Sequence, residues 1–451
     1  MTTPQIAALE SFIFDKMSST RLPGLSIALV KGGDGVYARG ADIARGRAAT
    51  PDTLFGAASV TKSFVAIAIL QLAEKGLLKL TDPVERYLPC PIPSKKGPIR
   101  IEHLLTHTSG MPGLGYIEAI LRHAHGIGGC ALPIAGPRDV LTFLHGSEEW
   151  LESEPGERWF YLNEGYVLLG EIIARITGVP YERYVTEHIL RPLEMSRSSF
   201  AEEDVTREAD VAVPYVLPKP AGEPRPGRYL HNVLGADAAL ITSASDLARY
   251  VAMLLRRGRG VMSESFYEAM TAPRIAMPAT TGRYGLGVSI TDDFFGEPLI
   301  GHGGSLVVST SYIGFLPKSN VGVAVLTNGN GYAMPQLGKV ALAVLLGREA
   351  KELPFVRTEN LLTNLTGHYE TYRGTLRTKI SREDDFLRME YVCGDQPPTP
   401  ATLVPDSLDA AEPTFFTISE GQRLPVQFRV SGAGIELIYE RYKFRRTGPL
   451  V

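Results

Sequence analysis

Three short stretches of this chain bring together residue types that could do acyl-transfer chemistry. The first is Ser59-Val60-Thr61-Lys62. A serine hydroxyl is a weak nucleophile until a neighbour takes its proton. A desolvated lysine three residues on, projecting from the same helix face, can do so. A helix beginning at Ser59 would add a backbone N–H with no intrahelical acceptor, suited to a developing oxyanion. The second stretch is Tyr161-Leu162-Asn163. A tyrosine beside a lysine can shuttle protons, and an asparagine amide can hold that lysine or pair with a substrate amide. The third is His302-Gly303-Gly304-Ser305. Its glycines let a substrate backbone come close, and its histidine can donate to a substrate carboxylate or carbonyl. The Ser305 N–H is a second candidate oxyanion donor. Each stretch alone has a plainer meaning: a capping serine with a surface lysine, an aromatic residue entering a core, and a turn.

The surrounding elements decide whether these groups can meet. Residues 58–75 read as the strongest helix of the chain. Phe64 to Leu70 is apolar on every side, which marks a buried helix, and Gly76 follows as a stop. Tyr166 to Ile176 reads as a second buried helix ending at Gly178-Val179-Pro180, and Asp246 to Arg256 as a third. Residues 5–20 pattern as an amphipathic helix, Leu25 to Lys31 as a strand, and Tyr37 to Arg39 as its hairpin partner. Residues 306–327 suggest two strands around a turn at Pro317 to Asn320, placing the His-Gly-Gly stretch just ahead of a strand. Gln336 to Leu346 suggests a further helix. Residues 111–150 lack strong periodicity and read as a loop or lid.

Composition narrows the function classes. The 451 residues are 44% hydrophobic and 21% charged, proportions of a globular chain. Lys+Arg number 46 against 49 Asp+Glu, a net charge of −3, so nucleic acid is not an expected partner. No apolar run approaches the roughly 20 residues a membrane helix needs. The N-terminus lacks the pattern of a signal peptide, so the expected location is the cytoplasm. The three cysteines, Cys90, Cys130 and Cys393, suit neither a disulfide framework nor a zinc site. His103 and His107 have metal-ligand spacing, but Leu104 stands where a zinc-protease helix needs Glu. Gly24-Leu25-Ser26-Ile27-Ala28 misses the α/β-hydrolase nucleophile pattern. No metal and no cofactor is expected.

In combination and in this order, the three stretches resemble the serine β-lactamase and penicillin-binding protein superfamily. The likeness is closest to its class C, D-alanyl carboxypeptidase, D-aminopeptidase and esterase branch. Phe55 to Lys62 looks like the nucleophile segment and Leu104 to Gly113 like the signature loop after it. Ala239 to Ala248 and Tyr284 to Gly287 look like later landmarks. The resemblance covers roughly residues 8–347. It implies an α+β (α/β) domain, an antiparallel sheet flanked by helices with a helical subdomain. It also implies an acyl-enzyme mechanism with Ser59, Lys62 and Tyr161 catalytic. Asn163, His302, Gly303, Gly304 and Ser305 would bind substrate and oxyanion. One departure stands out: many members carry Lys-Thr-Gly where this chain has His302-Gly303-Gly304. Lysine is a permanent cation for a substrate carboxylate, whereas histidine is mostly neutral near pH 7. The departure points away from efficient β-lactam cleavage and toward peptide or ester hydrolysis.

Beyond about residue 352 the pattern changes to short alternating segments: Thr375 to Ile380, Leu387 to Val392, Thr414 to Ile418, Val426 to Val430 and Glu436 to Phe444. They predict a C-terminal all-β barrel over 353–451, after a hydrolase domain over 1–352. Gly367-His368-Tyr369, Tyr372-Arg373-Gly374 and Tyr442 to Arg446 resemble the lipocalin-like barrel of some D-aminopeptidase relatives. The expected function is a serine peptidase of D-aminopeptidase or carboxypeptidase type, with D-amino-acid selectivity as the narrower expectation. A carboxylesterase or β-lactamase on the same fold is the alternative, and a non-catalytic binding or assembly protein is the alternative of another class. The expected partner is a small peptide, amide or ester, with homo-oligomerisation left open.

Overall fold

The computed structural model describes residues 2–42, 48–89, 91–128, 131–136, 138–201, 203, 205, 210–218, 222–230, 235–278, 280–392 and 400–450. All three cysteines lie outside these residues, as do short parts of 111–150. The chain divides into two compact units, Met1–Gly347 and Arg348–Val451.

The first unit is built on an eight-stranded antiparallel sheet. Its strands are β1 (Gly24–Lys31), β2 (Asp34–Asp42), β3 (Ile275–Ala276), β4 (Gly282–Tyr284), β5 (Ser289–Thr291), β6 (Leu299–Ser305), β7 (Thr310–Leu316) and β8 (Val321–Thr327). Their spatial order is β2-β1-β8-β7-β6-β5-β4-β3. The central strands β7 and β8 are buried at every position. Helices cover both faces there, which is why these segments read as continuous apolar runs. Helix α1 (Thr3–Thr20) packs with the helix Met334–Leu345, which lies over β7 and β8 with its Gly338 against the Tyr312 ring. The helix Ala244–Leu255 covers the opposite face, its Val251 meeting Gly322.

Helix α2 (Thr61–Glu74) runs through the middle of the helical region, with all but its last two residues buried. A single 3-10 turn, Ala58–Val60, precedes it and carries Ser59. The helical region also holds α3 (Ile101–Leu105), α4 (Tyr116–Ala124), α5 (Asp139–Leu144) and α6 (Asn163–Thr177), of which α6 packs directly on α2 and meets α3 and α5. The segment 111–150 is therefore no bare loop. It holds α4, α5 and a 3-10 turn at Glu148–Trp150. These pieces are short, and Gly and Pro between them break the periodicity that a sequence window needs.

A second correction concerns His302-Gly303-Gly304. The three residues lie inside β6, not ahead of a strand, and 306–308 lead from β6 toward β7. Glycine has low strand propensity, so the pattern hid the strand. Close approach explains why glycine stands there. A Cβ on Gly304 would collide with the Ala57 carbonyl oxygen and lie 2.9 Å from the Ala58 Cβ.

The second unit opens with the helix Pro354–Leu365, which the alternating pattern did not foreshadow. Eight antiparallel strands then close into a barrel: Gly367–Glu370, Arg377–Glu383, Phe386–Val392, Pro400–Ser407, Thr414–Ser419, Gln422–Ser431, Gly434–Tyr439 and Tyr442–Gly448. The first strand pairs with the last, so no edge is left open. Inward side chains such as Met389, Leu403, Phe428, Leu437 and Phe444 form its core, joined by Leu362 and Leu365 of the helix. The segment 436–444, read as one strand, is two: Glu440 takes a left-handed backbone at the turn between them.

Candidate active site

The segment around Ser59 is held from several sides. Ala58 has φ +48°, a conformation that costs a non-glycine residue of order 1–3 kcal/mol and recurs at functional sites. Thr61 Oγ1 donates to the Ala58 carbonyl at 2.6 Å and accepts from the Leu240 N–H at 3.2 Å. The Tyr250 hydroxyl donates to Ser63 Oγ at 2.9 Å. Gly287, at φ +79°, passes so close to α2 that a Cβ would meet the Ala66 Cβ at 2.5 Å. Ser59 is thereby fixed at the floor of a cavity of about 790 Å³, lined also by Tyr161, Asn163, His302, Gly304 and Ser305.

Lys62 lies behind Ser59 with no solvent exposure. Its Nζ donates to Ser59 Oγ at 3.1 Å, Asn163 Oδ1 at 2.8 Å and the Asp237 carbonyl oxygen at 2.8 Å. Three acceptors match the three N–H bonds of an ammonium, the condition under which so buried a cation is tolerated. The Tyr161 ring centroid is 5.0 Å from the same Nζ. Asn163 is the first residue of α6, so one helix start supplies Lys62's side-chain acceptor while the residue two before it supplies the phenol. The first two stretches thus converge on one cation across a hundred residues of chain.

His302 behaves differently from a carboxylate-binding lysine. Its Nδ1 donates to the Gly303 carbonyl at 2.6 Å, and its Nε2 accepts from the Tyr284 hydroxyl at 2.8 Å. Burial first, and the charge of Lys62 second, push its pKa down to about 3. The imidazole is neutral throughout the physiological range, with both nitrogens engaged. Gly303, Gly304 and Ser305 still border the cavity through the edge of β6.

Three groups at the site carried no role in the residue patterns. Asp237 sits in an undistinguished Gly-Ala-Asp-Ala-Ala run, yet its backbone oxygen holds Lys62. Its carboxylate accepts from the Tyr116 hydroxyl at 2.9 Å and the Gly235 N–H at 3.1 Å. Tyr284 orients His302. His107 packs its ring 4.2 Å from that of Tyr161. A backbone acceptor leaves no trace in residue type, whereas Tyr284 and His107 both fall within the family's landmark segments.

Glu164, next to Asn163, is 1% exposed, and its Oε1 has no hydrogen-bond partner among the described residues. Burial, with the negative charge of Asp237 adding to it, raises its carboxyl from the ordinary 4.5 to about 7. Between these values the folded chain holds a proton that the unfolded chain has lost. This contribution to stability is therefore complete below pH about 4.5 and declines as pH rises through 7. The total is about 3 kcal/mol. Glu164→Gln mimics the protonated acid. It is expected to match wild type in denaturant unfolding at pH 4.5 and to exceed it by up to about 3 kcal/mol at pH 8. An equal difference at both pH values would refute the assignment.

The fold and this arrangement define a class: β-lactamase-fold serine hydrolases. The family model for Beta-lactamase matches residues 9–346, and the chain belongs to that family. Residues 349–445 match the Pab87 octamerisation domain. Among solved structures, the octameric penicillin-binding protein homologue from Pyrococcus abyssi is 38% identical with a TM-score of 0.91. The match covers 97% of this chain and 99% of that one. The penicillin binding protein from Bacillus halodurans is 25% identical with a TM-score of 0.61, over 74% of this chain and 99% of that one. Protein flp of Staphylococcus aureus (strain MW2) is 29% identical over 75% of this chain. That match spans 66% of the relative's own length. Among the described residues, no helix is long and apolar enough to cross a membrane.

Proposed function

We propose that the protein hydrolyses small peptides or amides through an acyl-enzyme on Ser59. The observation that carries this reading is Lys62 Nζ, buried and 3.1 Å from Ser59 Oγ at the cavity floor. For this step the Lys62–Tyr161 pair holds one proton fewer than an ammonium and a phenol together, and Ser59 Oγ attacks the substrate carbonyl carbon while its proton passes to that pair. That proton is delivered to the leaving amine as the C–N bond breaks. Water then attacks the acyl-enzyme, gives a proton to the same pair, and Ser59 Oγ takes it back as the carboxylic acid leaves. The N–H groups of Ser59 and Ser305 hold the oxyanion in both halves.

The neutral, fully engaged His302 supports peptidase or esterase action over β-lactam cleavage, because it offers no fixed cation to a β-lactam carboxylate. The exposed charges on the cavity wall are Glu118 and Arg122, one turn apart on α4. Glu118 suits the free amine of an aminopeptidase substrate, and Arg122 the carboxylate of a carboxypeptidase substrate. A panel of D- and L-alanyl p-nitroanilides, N-acetylated anilides, p-nitrophenyl esters and penicillin separates these cases. Faster turnover of free-amine D-anilides than of penicillin is the expected result. Rapid penicillin turnover without amide or ester cleavage would reassign the protein as a β-lactamase.

The second unit is proposed to assemble copies of this chain, on the strength of its match to an octamerisation domain. Sedimentation of the full chain as an eight-copy species is expected. A monomer at micromolar concentration would refute it.

A further inference from the structure

We propose that His107 is a positioning residue for Tyr161: it grips the chain on both sides of that tyrosine and seats its ring at the Lys62–Ser59 pair. The inference rests on the proposed proton-transfer role of Tyr161. His107 follows α3, is 1% exposed, and takes a left-handed backbone with φ +58°. Its carbonyl oxygen accepts the Phe160 N–H at 2.8 Å, and its Nδ1 accepts the Leu162 N–H at 3.0 Å. These two donors flank Tyr161 in the chain. The imidazole centroid is 4.2 Å from the Tyr161 ring, and Tyr284 and Tyr166 close around it at 4.9 and 5.2 Å.

The arrangement is costly in ways that packing alone does not require. An imidazole whose Nδ1 accepts must carry its proton on Nε2 when neutral. That Nε2 is buried without a hydrogen-bond partner among the described residues. Burial, with the charge of Lys62 adding to it, holds the ring neutral, its pKa well below the ordinary 6.5. A left-handed backbone, a desolvated ring and an unpaired N–H are each unfavourable. A leucine would fill the same volume more cheaply. What only an acceptor at this position supplies is a partner for the Leu162 N–H. Leu162 is the extended, buried residue between Tyr161 and Asn163. Fixing it sets both the phenol and the amide that meets Lys62. A displacement of about 1 Å in a catalytic group can cost about a hundredfold in rate without weakening binding.

The test is rate and affinity of fluorophosphonate labelling, read by intact mass, in wild type and in a Tyr161→Phe background. His107→Leu removes the acceptor. It is expected to slow labelling at saturation by about 30- to 100-fold, with the half-saturating probe concentration changed less than about threefold. His107→Asn places Oδ1 where Nδ1 was and tolerates the left-handed backbone, so it is expected to recover the rate to within about fivefold. In Tyr161→Phe, the His107→Leu change is expected to add less than about threefold. If His107→Leu does not fold, His107→Gly, which relieves the backbone and also lacks the acceptor, reads the same coupling. An equal loss in both backgrounds overturns the positioning role while leaving that of Tyr161 intact. A Tyr161→Phe enzyme that labels at the wild-type rate sinks the role of Tyr161 and the proposal with it.

Discussion

Ser59→Ala is expected to abolish covalent labelling by fluorophosphonate and by penicillin, and to lower kcat/KM on any substrate by about 10⁴-fold or more. The magnitude follows from the step removed. Without Oγ no acyl-enzyme forms, and only cavity binding and oxyanion donors remain to lower the barrier. The fold should hardly notice. Ser59 is half-buried at the cavity floor, and Lys62 keeps two of its three acceptors. Unfolding free energy is expected to change by less than about 1 kcal/mol. Intact-mass spectrometry of both proteins with each probe decides the matter. An adduct that persists on Ser59→Ala would move the nucleophile elsewhere. A wild-type chain that reacts with neither probe would bring the binding-protein alternative forward.

Lys62→Met separates catalysis from stability more sharply. The lysine is fully buried, and its three hydrogen bonds tie α2, α6 and the Asp237 segment together. Methionine keeps the volume and removes the charge. Two effects on stability then oppose each other. Asn163 Oδ1 and the Asp237 oxygen lose their donor, at about 1–3 kcal/mol each. The desolvation penalty of a buried ammonium, several kcal/mol, disappears. The net change is expected to be small, with a melting temperature within a few degrees of wild type. The rate has no such compensation. Loss of the group nearest Ser59 Oγ is expected to slow acylation by about 10³-fold. Lys62→Arg should not restore it, because a planar guanidinium cannot meet three acceptors arranged around one nitrogen. Single-turnover labelling beside a melting curve reads both effects. A rate within tenfold of wild type would show that Tyr161 takes the proton without Lys62.

These expectations draw on information of two kinds, and the site shows where each was legible. Helix α2 was readable because its run from Phe64 to Ala73, interrupted only by Gln71, is apolar on every side, the mark of a buried helix. Strand β8 was readable for a similar reason, a short apolar run bounded by turn residues. The pairing of Ser59 with Lys62 followed from helical spacing alone. The strand at His302-Gly303-Gly304 was not legible, because Gly304 is required by a close approach to Ala57 and Ala58, which lie hundreds of residues away in the chain. Helices α4 and α5 escaped because they are too short for their periodicity to rise above the Gly and Pro around them. The helix Pro354–Leu365 fell just inside the expected all-β domain and was hidden by the change of pattern there.

The amino-acid sequence by itself determined the family, the antiparallel α/β architecture with its C-terminal barrel, and the order of the three stretches that could act together. Those properties depend on residue type and spacing, which local physics converts directly into helices, strands and reactive side chains. Only the tertiary structure decided how these groups are held. It put the Asp237 carbonyl oxygen on Lys62, engaged both nitrogens of His302 with Tyr284 and Gly303, and placed His107 beside Tyr161. The Lys62–Asp237 and His107–Leu162 bonds join segments distant in the chain, each through a backbone atom of a kind that carries no residue signature. Such bonds are set by how the elements pack, and residue type alone does not encode them.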